Sequence, residues 1–319
     1  MTRQSDIQQY LKLMAEMNKT SKRTKEVLKE MIPITTGKVP TAKKVVIYGP
    51  EGIGKSTLAS KFPNPVFIDT EGSTKELDVA RYPTPTYWDY IIECAEDLLE
   101  ERNFSTLVID TADWAEKLCI EATCSRLNVK GIEDVGYGKG YVYLQDDFNR
   151  LLVVLDKLVD AGINVVFTAH AFMRKFEQPD ELGAYDRFEM KLTKKIAPMI
   201  KEWADMVLFC NYKTTVITDQ ATKSKKATGG SRVMYSTHHP CWDAKNRYGL
   251  PEVMEMDFAP IAHIFDGVEP EPDYRGMLRE LMTDWEQNRK DELVKKYKLG
   301  PASTNNDYKT AYEFAKGGN

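Results

Sequence analysis

Eight consecutive residues, Gly49-Pro50-Glu51-Gly52-Ile53-Gly54-Lys55-Ser56, carry the most specific chemistry in the chain. They fit the spacing G-x-x-x-x-G-K-[ST], in which glycines let the backbone curl until several N–H groups face one anion. Together with Thr57, the stretch predicts a cradle for the phosphates of ATP. Lys55 is expected to reach the β- and γ-phosphates, and the Ser56 hydroxyl to ligate Mg²⁺. The motif follows the apolar run Lys-Val-Val-Ile-Tyr and opens a helical pattern, the order its mechanism requires. The start of that helix adds partial positive charge. The alternative is a glycine-rich turn that binds nothing.

Acidic residues stand at the ends of the next two apolar runs. Thr106-Leu-Val-Ile-Asp110 reads as a buried strand whose carboxylate emerges beside the phosphate loop, where it can hold the magnesium through water. Taken alone, such an Asp is also a common helix cap. Phe67-Ile-Asp69-Thr-Glu71 brings two acids to a strand end. Glu71 is the candidate base that orients and deprotonates a water for in-line attack on the γ-phosphate. The competing reading is that Asp69 and Glu71 cap the following segment.

These residues need a scaffold, and the chain is long enough to build one. Its 319 residues make two average domains or one large α/β domain. Hydrophobic residues at 42% and charged residues at 29% exclude a wholly disordered or fibrous chain. No uncharged apolar run approaches the roughly 18 residues of a membrane span. The N-terminal MTRQSDIQQY lacks the apolar region of a secretory signal. Five cysteines without a C-x-x-C pair read as free thiols of a cytoplasmic protein, the host's cytoplasm if the chain is phage-encoded. Residues 1–48 hold ten Lys/Arg against four Asp/Glu, so a basic arm of +6 precedes a body that carries −10 of the overall −4.

Periodicity predicts a helix over 6–31, capped by Ser5 or Asp6, and a linker bracketed by Pro33 and Pro40. Short apolar runs then alternate with helical patterns. Strands are expected at 44–48, 65–69, 106–110, 163–169 and 206–210, and helices at 54–62, 87–101, 112–127, 142–161 and 192–204. That alternation predicts an α/β fold, a mostly parallel sheet covered by helices on both faces. Thr214–Thr218 and Arg232–Thr237 are expected to add an antiparallel hairpin with a basic tip at Lys223, Lys225 and Lys226. One helix is expected over 273–297, followed from Gly300 by a polar, mobile tail. The expected division is a basic helical arm and linker (1–42), an ATPase core (43–268), and a C-terminal helix with tail (269–319). His238, His239 and Cys241 lack a second ligand pair at usable spacing and read as structural.

With these residues in hand, the chain resembles the RecA-like P-loop ATPase superfamily, in particular phage-encoded RecA-core proteins of the Sak single-strand-annealing type. The likeness covers about 43–258. FIDTE resembles the strand that bears the catalytic glutamate, and VVFTAH the strand whose last residue, here His170, senses the γ-phosphate and relays it to the DNA loops. Ala244-Lys245-Asn246-Arg247-Tyr248-Gly249 resembles the K-N-R-F-G motif of bacterial RadA proteins, with Tyr for Phe, and the paired cations of DnaB-type helicases. The resemblance implies that Lys245 and Arg247 act in trans, on the nucleotide of a neighbouring subunit in a ring or filament. It also implies two DNA-binding loops, one contributing Lys130, Tyr137 and Lys139, the other Arg174, Lys175 and Phe176. Glycines with interleaved Lys and Tyr suit a loop that stacks bases and neutralises phosphates, although tyrosines at such spacing also serve packing.

The function so implied is that of an oligomeric, Mg²⁺- and ATP-dependent, single-stranded-DNA-binding ATPase of recombination, which anneals or pairs strands and can meet a single-strand-binding protein. Alternatives are a RadA- or DnaB-like DNA translocase, a small-molecule kinase, and a nucleotide-gated adaptor.

Overall fold

The inner strands of the protein carry nearly continuous apolar runs because they are covered on both faces. In β1 (Lys44–Gly49), Val45 and Ile47 point to one side and Val46 and Tyr48 to the other, and all four are buried. The same holds for β2 (Pro65–Asp69) and β4 (Thr106–Asp110). This architecture comes from a computed structural model that describes residues 36–37, 39–101, 103–177, 183–218, 225–266, 272, 274–300, 303 and 305–317. The expected helix over 6–31, its linker as far as residue 35, and Lys223 lie outside the described residues.

Among the described residues, nine strands form the sheet, in the order β3-β2-β4-β5-β1-β7-β8-β9, with β6 paired to β5 off that path. Here β3 is Ala80–Arg81, β5 is Asn164–Glu177, β6 is Ala184–Met190, β7 is Met206–Thr218, β8 is Lys225–Tyr235 and β9 is Val253–Glu255. Strands β3, β2, β4, β5, β1 and β7 run parallel, and β8 and β9 extend the sheet antiparallel. The expected α/β class, with an antiparallel C-terminal addition, is therefore the observed one.

Helices α1 (Lys55–Ala59), α2 (Trp88–Glu101), α3 (Ala112–Leu127), α4 (Lys139–Asp160) and α5 (Ile196–Trp203) join the strands. Helices α2, α3 and α4 cover one face through Trp88, Ile91, Leu98, Cys119, Phe148 and Leu151, packed on Val46, Ile68, Ile109 and Phe167. On the opposite face, Ile53, Leu58 and Phe62 meet Val45, Ile47, Val108 and Leu208, closed off by Ile261, Ile264 and Phe265. No described helix is long and apolar enough to cross a membrane.

Four expectations need correction. The strands expected at 206–210 and 214–218 are one strand, β7, continuous but for a bulge at Lys213/Thr214. The expected loop after His170 is strand: residues 171–177 of β5 pair antiparallel with β6, so Arg174, Lys175 and Phe176 belong to a β-hairpin arm. Lys139 opens α4 instead of lying in a loop, because Gly136–Gly138 closes a 3₁₀ turn directly before it. The helix expected at 273–297 breaks into α6 (Tyr274–Leu281) and α7 (Gln287–Tyr297), and the expected mobile tail contains α8 (Asn305–Gly317). Leu278, Leu293, Ala311 and Ala315 bury together where these three helices meet.

Candidate active site

Parallel register collects the chemistry at one edge. Gly49 lies opposite His170 across β1 and β5, and Asp69 opposite Asp110 across β2 and β4. Gly49, Asp69 and Asp110 stand where strands end, and His170 where the parallel part of β5 ends, the position at which open α/β sheets bind ligands.

The phosphate loop begins at Gly49, where a Cβ would lie 2.2 Å from the Cys210 carbonyl oxygen of β7. Only glycine lets β1 and β7 pair this closely. Gly54 has φ +103°, a left-handed conformation that glycine adopts freely. Lys55 is buried at 5% exposure, and its Nζ donates to the loop's own carbonyls at Gly49 (3.2 Å) and Pro50 (3.0 Å). Burial lowers its pKa, opposed by the carboxylates of Asp110, Asp113 and Glu71. The ammonium thus sits among acids, held by weak carbonyl partners that a phosphate can replace.

Asp110 is completely buried, and its Oδ1 accepts from the Thr168 hydroxyl. Burial raises its pKa, opposed by the hydroxyls of Thr168 and Ser56. Its Oδ2 is buried without a hydrogen-bond partner among the described residues. An unsatisfied carboxylate oxygen near a serine hydroxyl fits a hard cation. Ser56 and Asp110 are therefore the residues that would hold magnesium.

Asp69 and Glu71 divide the two readings left open for them. Asp69 is a cap: it accepts from the backbone N–H of Gly72 (2.7 Å), Ser73 (3.2 Å) and Thr74 (2.9 Å), and from the Thr74 hydroxyl (2.6 Å). Burial works to raise its pKa, but these bonds outweigh burial and lower it. Glu71 faces the cleft instead, with Oε2 4.0 Å from His170 Nε2. Burial raises its pKa, opposed mainly by His170. A carboxylate made more basic than usual suits proton abstraction.

His170 is held on its other side by Asp113, a residue the sequence reading passed over. Asp113 accepts from His170 backbone N–H (3.0 Å) and lies 2.9 Å from ring Nδ1. One turn along α3, Glu116 accepts from the backbone N–H of Thr193 (3.1 Å) and from its hydroxyl (2.6 Å). The signal for Asp113 was present in Asp110-Thr-Ala-Asp113, an acid one helical turn beyond the strand-end acid. Arg232 was also missed. It reaches the loop from β8, donating to the Ile53 carbonyl at 3.2 Å. No local pattern marks it, since only the pairing of β8 with β7 brings it there. Beside it, a groove of about 660 Å³ lined by Gly54, Thr57, Lys213, Arg232, Met254 and Met256 leaves room next to the phosphate loop.

Lys245 and Arg247 lie at the opposite edge of the sheet. Lys245 pairs with Val207 near the start of β7, and its Nζ donates to the carbonyls of Lys201, Glu202 and Ala204, which end α5. Arg247 pairs with Asp205 at 2.8 Å and keeps its side chain 59% exposed. The Asp205 backbone bonds Lys44, where β1 starts. The five residue steps of β1 from there to Gly49 span about 17 Å. Arg247 cannot serve the phosphate loop of its own chain.

The two candidate DNA segments differ in character. Lys130, Tyr137 and Lys139 are exposed, and Tyr137 stands fully in solvent with a left-handed φ of 56°. On the β5–β6 arm Lys175 is exposed, while Arg174 pairs with Glu189 (3.3 Å). The Phe176 ring packs edge-on against Tyr185 and beneath Arg187. Beside β6 of the same arm, whose Phe188 bridges to Trp242, His239 stacks on Trp242 with ring centroids 4.1 Å apart, and His238 lies 3.3 Å from Asp243, which also pairs with Arg187.

A family model described as an AAA domain matches residues 41–248. Among solved structures, the chain is similar to a KaiC-like protein of the hyperthermophilic archaeon Pyrococcus horikoshii, with 14% identity over 63% of this chain and 88% of that one, and a TM-score of 0.32. It is also similar to the flagellar accessory protein FlaH of Methanocaldococcus jannaschii, with 12% identity over 69% of this chain and 91% of that one, and a TM-score of 0.31. No curated protein matches.

Proposed function

Because the chain belongs to this AAA-domain family of P-loop ATPases, we propose that it is an oligomeric Mg²⁺-ATP hydrolase that binds single-stranded DNA and serves strand annealing or pairing in recombination. One observation carries the reading. His170, beside the candidate base Glu71, is the last residue of β5 paired to the phosphate-loop strand and the root of the β5–β6 arm. A change at the γ-phosphate therefore has a direct mechanical neighbour in the arm.

In this reading the loop Gly49–Thr57 wraps the phosphates, and Lys55 exchanges its carbonyl partners for phosphate oxygens. Ser56 and Asp110 would hold Mg²⁺, which supplies charge neutralisation between the phosphates. Glu71 orients the attacking water and takes its proton. Arg247, too far from its own loop, is the cation available to a neighbour's nucleotide, and an inserted arginine is worth about 10³–10⁵ in rate. Lys245, occupied at the end of α5, supports the turn that presents Arg247. Tyr137, Lys130 and Lys139 offer one exposed ring and two cations to a single strand, with Arg174 and Lys175 on the arm. Phe176 contributes to the arm's packing.

The test is steady-state ATP hydrolysis with and without an oligonucleotide. Lys55→Ala is expected to lose nucleotide binding. Glu71→Gln is expected to keep it while turnover falls on the order of 10²–10⁴. Hydrolysis unchanged in both variants refutes the site.

A further inference from the structure

The ring of His170 is fixed from one side only. Asp113 spends its two oxygens on it, Oδ1 on the backbone N–H and Oδ2 on Nδ1, at 3.0 and 2.9 Å. Both side chains are more than nine-tenths buried. Binding the main chain and the ring of the same residue sets both where the imidazole stands and how it is turned, and Nε2 is left toward Glu71 at 4.0 Å. A carboxylate on Nδ1 requires a proton there, so it also selects the tautomer.

Burial works to raise the Asp113 carboxyl, but the bonds to His170 outweigh it and hold it low, which keeps it an acceptor. The same face of α3 secures the arm's other foot. Where the chain returns from β6, Lys191 N–H donates to His170 carbonyl oxygen at 2.8 Å, and Thr193 rests on Glu116. Asp113 and Glu116 are three residues apart, neighbours on one helix face.

We propose that Asp113 is a positioning residue for the Glu71–His170 pair: it fixes the imidazole as the Nδ1–H tautomer, with Nε2 directed at Glu71, and so sets the chemistry at Glu71 from behind. The catalytic part rests on the reading of Glu71 as the residue that handles the attacking water. The tautomer part stands without it.

The test uses the full chain and Asp113→Asn, with His170 identified among the four histidines by its loss in His170→Asn. Long-range ¹H–¹⁵N correlation spectra are expected to show Nδ1 protonated in the wild type. In Asp113→Asn, an amide N–H can donate to the ring, so the proton is expected to move to Nε2. Turnover is expected to fall at least about 10- to 100-fold, the range for removing an outer partner of a metal-bound histidine, with KM for ATP within about twofold. A bare Nδ1 in the wild type overturns the proposal, and needs no variant to fold. So does an Asp113→Asn protein with unchanged tautomer and unchanged turnover. If the wild type keeps the Nδ1–H tautomer but hydrolyses nothing, the hydrolase reading falls and the positioning stands.

Discussion

Glu116 offers a sharp test of how the arm is seated. Its carboxylate is 5% exposed and bound to Thr193, with Asp113 one turn away. Burial raises its pKa from 4.5 to about 6, more than the two Thr193 bonds lower it. Between those values the folded chain keeps a proton that the unfolded chain has released. Stability therefore falls as pH rises through the window and is fully lost at this site above it. The difference between 4.5 and about 6 corresponds to about 2 kcal/mol. Glu116→Gln keeps an acceptor for Thr193 and removes the titration. Relative to the wild type, the variant is expected to gain about 2 kcal/mol between pH ~4 and ~7.5, or about 3 °C in Tm for a chain of this length. Thermal unfolding of both proteins at half-unit steps of pH measures the difference, and other titrating groups cancel in it. A wild-type-minus-variant difference that stays flat across the range refutes the account of Glu116 as a buried, proton-holding group.

Three further outcomes follow from particular contacts. Gly49→Ala puts a methyl 2.2 Å from the Cys210 carbonyl oxygen, so β1 and β7 must part; a loss of about 1–3 kcal/mol or more is expected in urea unfolding, and an unmoved midpoint contradicts the close approach. Tyr137→Ala removes a ring with no packing to lose; single-stranded DNA affinity is expected to fall by about 1–3 kcal/mol at unchanged Tm, and binding that does not respond removes Tyr137 from the interface. Arg247→Ala and Lys55→Ala proteins, each inactive, are expected to recover part of the ATPase activity when mixed, because one joint then combines an intact loop with an intact arginine; no recovery at any ratio argues against action in trans.

What was legible in the sequence was local. The phosphate loop lies in nine successive residues, and the strand-end acids announce themselves by following apolar runs. Period-two alternation puts Thr168 and His170 on the same side of β5, where the structure brings them to Asp110 and Glu71. The C-terminal helix α8 was missed: Tyr308, Ala311, Tyr312 and Ala315 stand at helical spacing, but two small alanines in a polar stretch disguise the apolar stripe. The break between α6 and α7 had no comparable local marker, since Trp285 leaves the helical path to pack in the same C-terminal cluster.

The misreadings in the sheet share one physical cause, which is that pairing partners outside the segment decide what a mixed segment becomes. Phe172-Met-Arg-Lys-Phe176 has two adjacent charges and no continuous apolar run, so it reads as a loop by itself. Opposite Tyr185-Asp-Arg-Phe-Glu189 each residue finds a cross-strand mate: Arg174 meets Arg187 in register but turns to Glu189, and Phe176 meets Tyr185. The same logic separates Lys245 from Arg247. Their spacing promised a matched pair of cations, yet α5 ends and β7 begins beneath Lys245, and three carbonyls there claim its ammonium. Only Arg247 keeps an exposed charge, one sheet-length from the phosphate loop of its own chain. In the proposed reading, any catalytic cation it supplies must therefore act on the nucleotide of another subunit.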